Sequence, residues 1–251
     1  MAQDTRTASR TANRIDDSEV EKFNRLASDW WDPDGRMKPL HRLNPVRLTY
    51  LRDTLAAHFD RDIKAVQPFK GLSLLDIGCG GGLLSEPLAR LGFAVTGIDP
   101  AGNNVDVAKA HATKSGVSVD YRKATAETLA DEGLSFDAVL AMEVVEHVPD
   151  VPAFVATAAS LVKPGGLFAG TTINRTKRSF ALAIVGAEYV LRWLPVGTHS
   201  WDKFVTPDEF EAAISAGGLE VFDRKGVVFN PFADRWVLAQ DMAVNYMLAA
   251  K

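Results

Sequence analysis

Two glutamates and a histidine stand close together in "AMEVVEHVPD", residues 141–150. Glu143, Glu146 and His147 occupy positions i, i+3 and i+4, so one helical turn would place all three on one side. Such a cluster can do three kinds of work. It can be a solvated first turn, because acids are favourable at a helix N-terminus. It can be a general-base site that takes a proton from a hydroxyl. It can also hold a divalent cation, and two hard oxygens with one imidazole suit magnesium or manganese at least as well as zinc.

A second constellation lies upstream, in "LLDIGCGGGLLSEPLARLGFAVTGIDP". Asp76 ends an apolar run, and Gly78, Gly80, Gly81 and Gly82 carry the chain into a helical pattern. Glycines belong where backbone turns tightly and presses on a ligand without a Cβ in the way. Asp99 follows 23 positions after Asp76, at the end of the next apolar run, where a carboxylate can take both hydroxyls of a ribose. A dinucleotide fingerprint would need its third glycine at position 83, which is Leu83. Asp76 would also repel a pyrophosphate and suits a positively charged ligand head instead.

The elements that must position these groups alternate. Buried strands are expected at 72–77, 93–99, around "SVDYRKA", at 136–142 and at 167–173, with helices between them. That β-α-β-α order argues for a parallel sheet covered on both faces. The 141–150 cluster then falls at the C-terminal end of the fourth strand, where open parallel sheets bind ligands. Two helices precede the sheet: one over about 17–32, and one in "NPVRLTYLRDTLAAHFD" with Asn44 as its cap and Pro45 in its first turn. After residue 174 come an apolar helix over about 179–193 and a "GTH" loop. A helix capped by Thr206 and two terminal strands, which could form an antiparallel edge hairpin, complete the chain.

Composition narrows the class. The 251 residues are 47% hydrophobic with a net charge of −4, which gives nucleic acid no basic footprint to bind. Cys79 is the one cysteine, so an internal disulfide and any multi-cysteine zinc site are excluded. The opening "MAQDTRTASRTANRIDDSE" lacks an apolar signal core, and Asp4, Asp16 and Asp17 argue against a transit peptide. Residues 1–17 are expected to be a disordered polar tail and the protein to be cytoplasmic. "SFALAIVGAEYVLRWLPV" is apolar, but Glu188, Arg192 and Pro195 make it a poor membrane span. Basic flanks and tryptophans give it the composition of an interfacial helix on an anionic membrane, and a core helix is the alternative.

"DIGCGGG" resembles the cofactor loop of S-adenosylmethionine-dependent methyltransferases. The resemblance widens with "DWWDPDGRMKPLHRLNPVRLTYL", "AMEVVEHVPD", "LVKPGG", "VGAEYVLRWLPVGTHSWDKF" and "DMAVNYML", and across roughly residues 18–250 the chain is similar to the ubiquinone-biosynthesis O-methyltransferases. It implies one Rossmann-like class I α/β domain over 18–251. This would be built on a mostly parallel seven-stranded sheet with helices on both faces, N-terminal helices at 18–66 and a helical insert at about 175–205. It implies transfer of methyl from S-adenosylmethionine to a ring hydroxyl of a polyprenyl catechol or demethylubiquinol. The implied cofactor contacts are Arg47, Asp76, Gly78, Gly80, Asp99 and Met142, with Glu127 near the adenine. E-x-x-E-H is the zinc motif H-x-x-E-H with its first histidine exchanged for a carboxylate. The resemblance associates Glu143, Glu146 and His147 with a divalent metal, magnesium above all; His147 as a base without metal, or a purely structural cluster, are the other readings. His199 and His41 are minor alternatives for the base. Peripheral membrane association and other ubiquinone-biosynthesis proteins as partners complete what the resemblance implies. The rival functions are methylation of an unrelated phenol, a non-catalytic membrane-associated scaffold, and a dehydrogenase, which Leu83 disfavours.

Overall fold

The computed structural model describes residues 16–182, 184 and 200–251. The expectations for the 1–15 part of the tail, for His199 and for most of the apolar insert lie outside these residues. In chain order the elements are α1 (Asp17–Leu26), α2 (Lys38–His58), β1 (Ser73–Ile77), α3 (Ser85–Arg90), β2 (Ala94–Asp99), α4 (Gly102–Ser115), β3 (Asp120–Lys123), α5 (Ala126–Asp131) and β4 (Phe136–Met142). They continue with α6 (Val151–Ser160), β5 (Val162–Ile173), the single turn α7 (Lys177–Ser179), α8 (Pro207–Ala216), β6 (Val221–Asn230), β7 (Arg235–Ala239) and β8 (Asn245–Ala250).

The described strands form one sheet in the order β3-β2-β1-β4-β5-β8-β6-β7, the first five parallel. β4 shows why the sheet is covered twice. Val139 and Ala141 point into a core with α5, α6 and α8, while Ala138, Leu140 and Met142 point into another with α2 and α3. Alternate side chains of a strand face opposite ways, so a continuous apolar run must be buried on both sides. α4 packs Val105, Ala108 and Ala112 on Cys79 and Tyr121.

Among the described residues the sheet has eight strands rather than the expected seven, and its end is not a simple edge hairpin. The last segment divides into β7 and β8, which flank β6 on opposite sides. β8 enters the sheet between β5 and β6, antiparallel to both. The connection from β7 to β8 therefore has to cross β6, and it does so at Gly226, where a Cβ would collide with the Asp241 carbonyl. β8 then buries Tyr246, Leu248 and Ala250 on one face and Met247 and Ala249 on the other. Alternation of short strands with turns does not reveal such a crossing.

α2 also differs from expectation. It starts at Lys38, carries Pro45 inside it, and Asn44 does not cap it. Pro39 occupies the first turn instead, where a missing N–H costs nothing. Asn44 donates from Nδ2 to the Leu83 carbonyl at 2.8 Å, which ties α2 to the start of α3. Among the described residues no helix is long and apolar enough to cross a membrane.

Candidate functional site

At the C-terminal ends of β1, β2 and β4 the sheet opens into a cavity of about 260 Å³. Its walls include Arg47, Asp76, Gly78, Asp99, Glu127, Met142, Glu143, Glu146 and His147, so two motifs separated by more than 40 residues face one space. α1 covers it with Glu19, Val20 and Phe23.

Local chemistry shapes the glycine loop. Gly78 and Cys79 donate their backbone N–H groups to the Ile98 carbonyl at 2.8 and 3.0 Å, which clamps the loop to β2. Gly78 sits at φ +70°, and a Cβ there would strike the Val144 side chain. Gly80, at φ +53°, lies directly under the Trp30 ring and does not line the cavity. Trp31 donates to the Gly81 carbonyl at 2.9 Å. The tryptophan pair thus fastens the N-terminal region onto the loop, a function that the residue types alone did not disclose.

Asp99 is set by three donors: Gly80 N at 3.0 Å, Ala101 N at 2.8 Å and Asn104 Nδ2 at 3.3 Å. Asn104 is oriented in turn by Trp30 Nε1 at 2.8 Å. Burial pushes the Asp99 carboxyl up in spite of these donors. Asp76 lies deeper. Burial lifts it to about 6, opposed by the Ser85 hydroxyl at 2.5 Å and the Arg47 charge. Asn104 and Ser85 were not singled out in the sequence, and their places in helical segments carry no signal for these roles.

Arg47 is 4% exposed, pairs with Glu143 through Nη1, and donates from Nη2 to Asn44 Oδ1 at 3.1 Å. Its Nε has no hydrogen-bond partner among the described residues. An orphaned guanidinium N–H beside a cavity fits an anionic ligand group, and the carboxylate of an amino-acid moiety meets that need. Asp76, buried and poised to lose its proton, fits the ammonium of the same moiety. Asp99, already fixed by its three donors, is the carboxylate on the cavity wall that ribose hydroxyls would meet, and the donor set suits an aminoacyl nucleoside such as S-adenosylmethionine.

The carboxylate and histidine cluster departs from the helical turn expected of it. Glu143 takes φ +54°, and only Val145–His147 form a 3-10 turn before Val148 becomes extended. A left-handed glutamate costs about 1 kcal/mol or more. It is held there by its own N–H, which lies 3.2 Å from the Thr171 carbonyl and 3.0 Å from the Thr171 hydroxyl. Each side chain then finds a separate partner: Glu143 pairs with Arg47, Glu146 accepts from the Thr172 hydroxyl at 2.7 Å, and His147 Nδ1 lies 3.1 Å from Glu19 Oε2. Burial raises the Glu146 carboxyl above its ordinary range. Among the described residues no three histidine, cysteine or carboxylate side chains are grouped to hold a metal ion. His41 does not line the cavity; its Nε2 lies 2.9 Å from the carbonyl of Trp30, which does.

Comparison with known proteins agrees with this geometry. A family model described as a methyltransferase domain matches residues 75–170. The ubiquinone biosynthesis O-methyltransferase of Methylobacterium nodulans is 61% identical over 96% of this chain and 97% of its own length. That of Chelativorans sp. strain BNC1 is 58% identical over 94% of both chains. Among solved structures, magnesium protoporphyrin IX methyltransferase from Synechocystis PCC 6803, crystallised with SAH, superposes with a TM-score of 0.67 at 19% identity, covering 94% of this chain and 99% of that one. A methyltransferase from Thermotoga maritima gives 0.61 at 16%, covering 92% and 98%, and both likenesses bear on the fold alone. At 61% and 58% identity over 96% and 94% of its length, the chain belongs to the family of ubiquinone biosynthesis O-methyltransferases, which are S-adenosylmethionine-dependent enzymes.

Proposed function

We propose that the chain methylates a ring hydroxyl of a polyprenyl catechol (3-polyprenylbenzene-1,2-diol) and of 3-demethylubiquinol, with His147 as the general base. The observation that carries this reading is an imidazole on the cavity wall whose Nδ1 is taken up by Glu19. A carboxylate only accepts, so Nδ1 carries the hydrogen of that contact, and in the neutral imidazole Nε2 is the nitrogen left to accept. The family names of the relatives supply the quinone class of the acceptor.

When bound, the sulfonium supplies an electrophilic methyl carbon; its C–S bond breaks as the acceptor oxygen forms the new C–O bond. The residues have the remaining work. Arg47 and Asp76 hold the two charges of the amino-acid end, Gly78 admits backbone contact, Asp99 takes the ribose, and Met142 gives an apolar wall beside it. His147 Nε2 receives the hydroxyl proton, which makes the catechol oxygen a better nucleophile. Glu143 and Glu146 line the same cavity, held by Arg47 and by the Thr172 hydroxyl.

The divalent cation is left out of this sequence of steps. Glu143, Glu146 and His147 are each committed to a different partner, and magnesium at that place would have to displace Arg47 and Thr172. Chelation followed by magnesium add-back tests it, with activity that resists chelation setting the metal aside.

Peripheral association with an anionic membrane belongs to the same proposal. Phe180, Leu182 and Trp201 are exposed on either side of the 183–199 segment, beside Lys177 and Arg178. In this reading the protein is a cytoplasmic enzyme that meets a lipid-borne acceptor, alongside other ubiquinone-biosynthesis proteins. Mass spectrometry of short-chain catechol and demethylquinol analogues tests the chemistry: methylated product is expected from both, and none from the His147→Asn variant. Undiminished turnover by that variant would remove His147 as the base.

A further inference from the structure

We propose that Glu19 is the positioning residue for His147, fixing the imidazole so that Nε2 and not Nδ1 is presented to the acceptor; this rests on the reading of His147 as the base. Glu19 belongs to none of the motifs that mark the site and stands 128 positions from its partner. Two contacts from one face of α1 reach the ring. Glu19 Oε2 lies 3.1 Å from Nδ1, and Phe23, four residues on, packs edge-on at 5.2 Å and 89°. One contact fixes the ring in its plane and the other fixes the plane itself.

Glu19 is in turn held from several sides. Lys22 Nζ is 3.3 Å from Oε2, and Lys203 Nζ is 3.6 Å from Oε1. Lys203 also reaches Asp16 at 3.2 Å, and Asp16 caps α1 through the Ser18 N–H at 3.0 Å. The pair itself is sheltered, with side chains 18% and 16% exposed, unlike a solvated surface contact. The hydrogen bond from His147 leads the influences that hold the Glu19 carboxyl down at about 2, so it stays ionised and accepting at any working pH. Glu143 and Glu146 on its own segment and Arg47 from α2 line the same cavity as the ring. Among the described hydrogen-bond contacts of the imidazole, the one from Glu19 favours the hydrogen on Nδ1 in the neutral ring. Carboxylates that orient a functional histidine typically matter by about 10- to 100-fold when removed.

The test uses the full chain, histidine labelled with ¹⁵N, in complex with S-adenosylhomocysteine. The wild type should show His147 with a protonated Nδ1 and a bare Nε2. Glu19→Gln is isosteric, yet its amide can donate to Nδ1 and so favours the wrong tautomer. It should lower kcat by about 10- to 100-fold, leave the S-adenosylhomocysteine Kd within about twofold, and keep the thermal midpoint. Glu19→Asp should recover part of the rate, as a carboxylate on a shorter arm. In a His147→Asn background Glu19→Gln should cost nothing further, because residues acting as a unit are not additive. Unchanged tautomer and kcat in Glu19→Gln, or fully additive losses in the double variant, would overturn the proposal. Should His147→Asn keep full activity, the base reading fails by itself. The ¹⁵N spectrum then decides the Glu19 role: loss of the Nδ1–H form in Glu19→Gln supports it, and retention overturns it.

Discussion

Asp76 offers the most quantitative handle on the cofactor site. Its side chain is fully enclosed, and burial lifts its carboxyl from 3.8 to about 6 although Ser85 and Arg47 pull the other way. A folded value above the unfolded one contributes stability that is complete below pH 3.8 and is lost as pH rises through 6, a change of roughly 3 kcal/mol. An ammonium ligand reverses the sense, because its charge favours the carboxylate. If binding returns Asp76 to an ordinary carboxylate, the Kd for S-adenosylhomocysteine should fall about tenfold between roughly pH 5 and 7.5, with most of the change below about pH 6. Near pH 6 each ligand bound should release about half a proton. Titration calorimetry in two buffers of different ionisation enthalpy measures both quantities. Asp76→Asn should flatten the slope, abolish the proton release, and weaken binding near pH 7.5 by tenfold or more, since a charged hydrogen bond is worth about 1.5–3 kcal/mol. An asparagine variant with the wild-type slope and proton release would refute the argument and move the titration to Asp99 or Glu146, the other buried carboxyls of the cavity.

Two further outcomes follow from the geometry. Arg47→Lys keeps the charge but loses the partnerless Nε and the planar fork, so cofactor affinity measured by calorimetry should fall about tenfold, or about 1.4 kcal/mol; unchanged affinity would show that Nε meets no ligand. Gly226→Ala places a methyl group against the backbone of Asp241 where the chain crosses β6. It should lower stability in guanidinium unfolding by about 3 kcal/mol, and a loss under about 0.5 kcal/mol would contradict the crossing.

Strands β1, β2, β4 and β5 were legible because each carries a largely apolar run, as β4 does at 138–142, which a sheet covered on both faces can bury. The glycine loop and its two aspartates were legible for a similar reason. Their roles depend on backbone conformation and on spacing within one β-α-β unit, which are local properties. What was not legible depends on contacts between distant segments. Nothing near Asn44 signals that it serves the Leu83 carbonyl rather than the N-terminus of α2. Nothing in "RWVLAQDMAVNYML" signals that its two halves lie on opposite sides of β6. The 141–150 cluster is the sharpest case. Its spacing specifies one helical face, yet the left-handed Glu143 breaks the helix and turns each side chain toward its own partner.

That break has a physical logic. Three titratable groups at the mouth of a largely apolar cavity cannot all stay unpaired, since an uncompensated buried charge is costly. A cation shared among them is one solution; separate partners are another, and here those partners come from α1, α2 and β5. The family-wide methyltransferase domain, residues 75–170, holds the glycine loop, Asp76, Asp99, Met142 and the cluster itself. Arg47, Glu19, Phe23 and Trp30 all lie before it. The shared domain therefore supplies most of the cavity groups, while the N-terminal region adds Arg47, which pairs with Glu143, and Glu19, which pairs with His147. A chain cut back to the domain would retain Asp76 and His147 but would lose the guanidinium that lowers one and the carboxylate that orients the other. On the proposed roles, truncation before residue 75 should therefore weaken cofactor binding and slow methyl transfer together, and a truncated chain with wild-type values for both would contradict them.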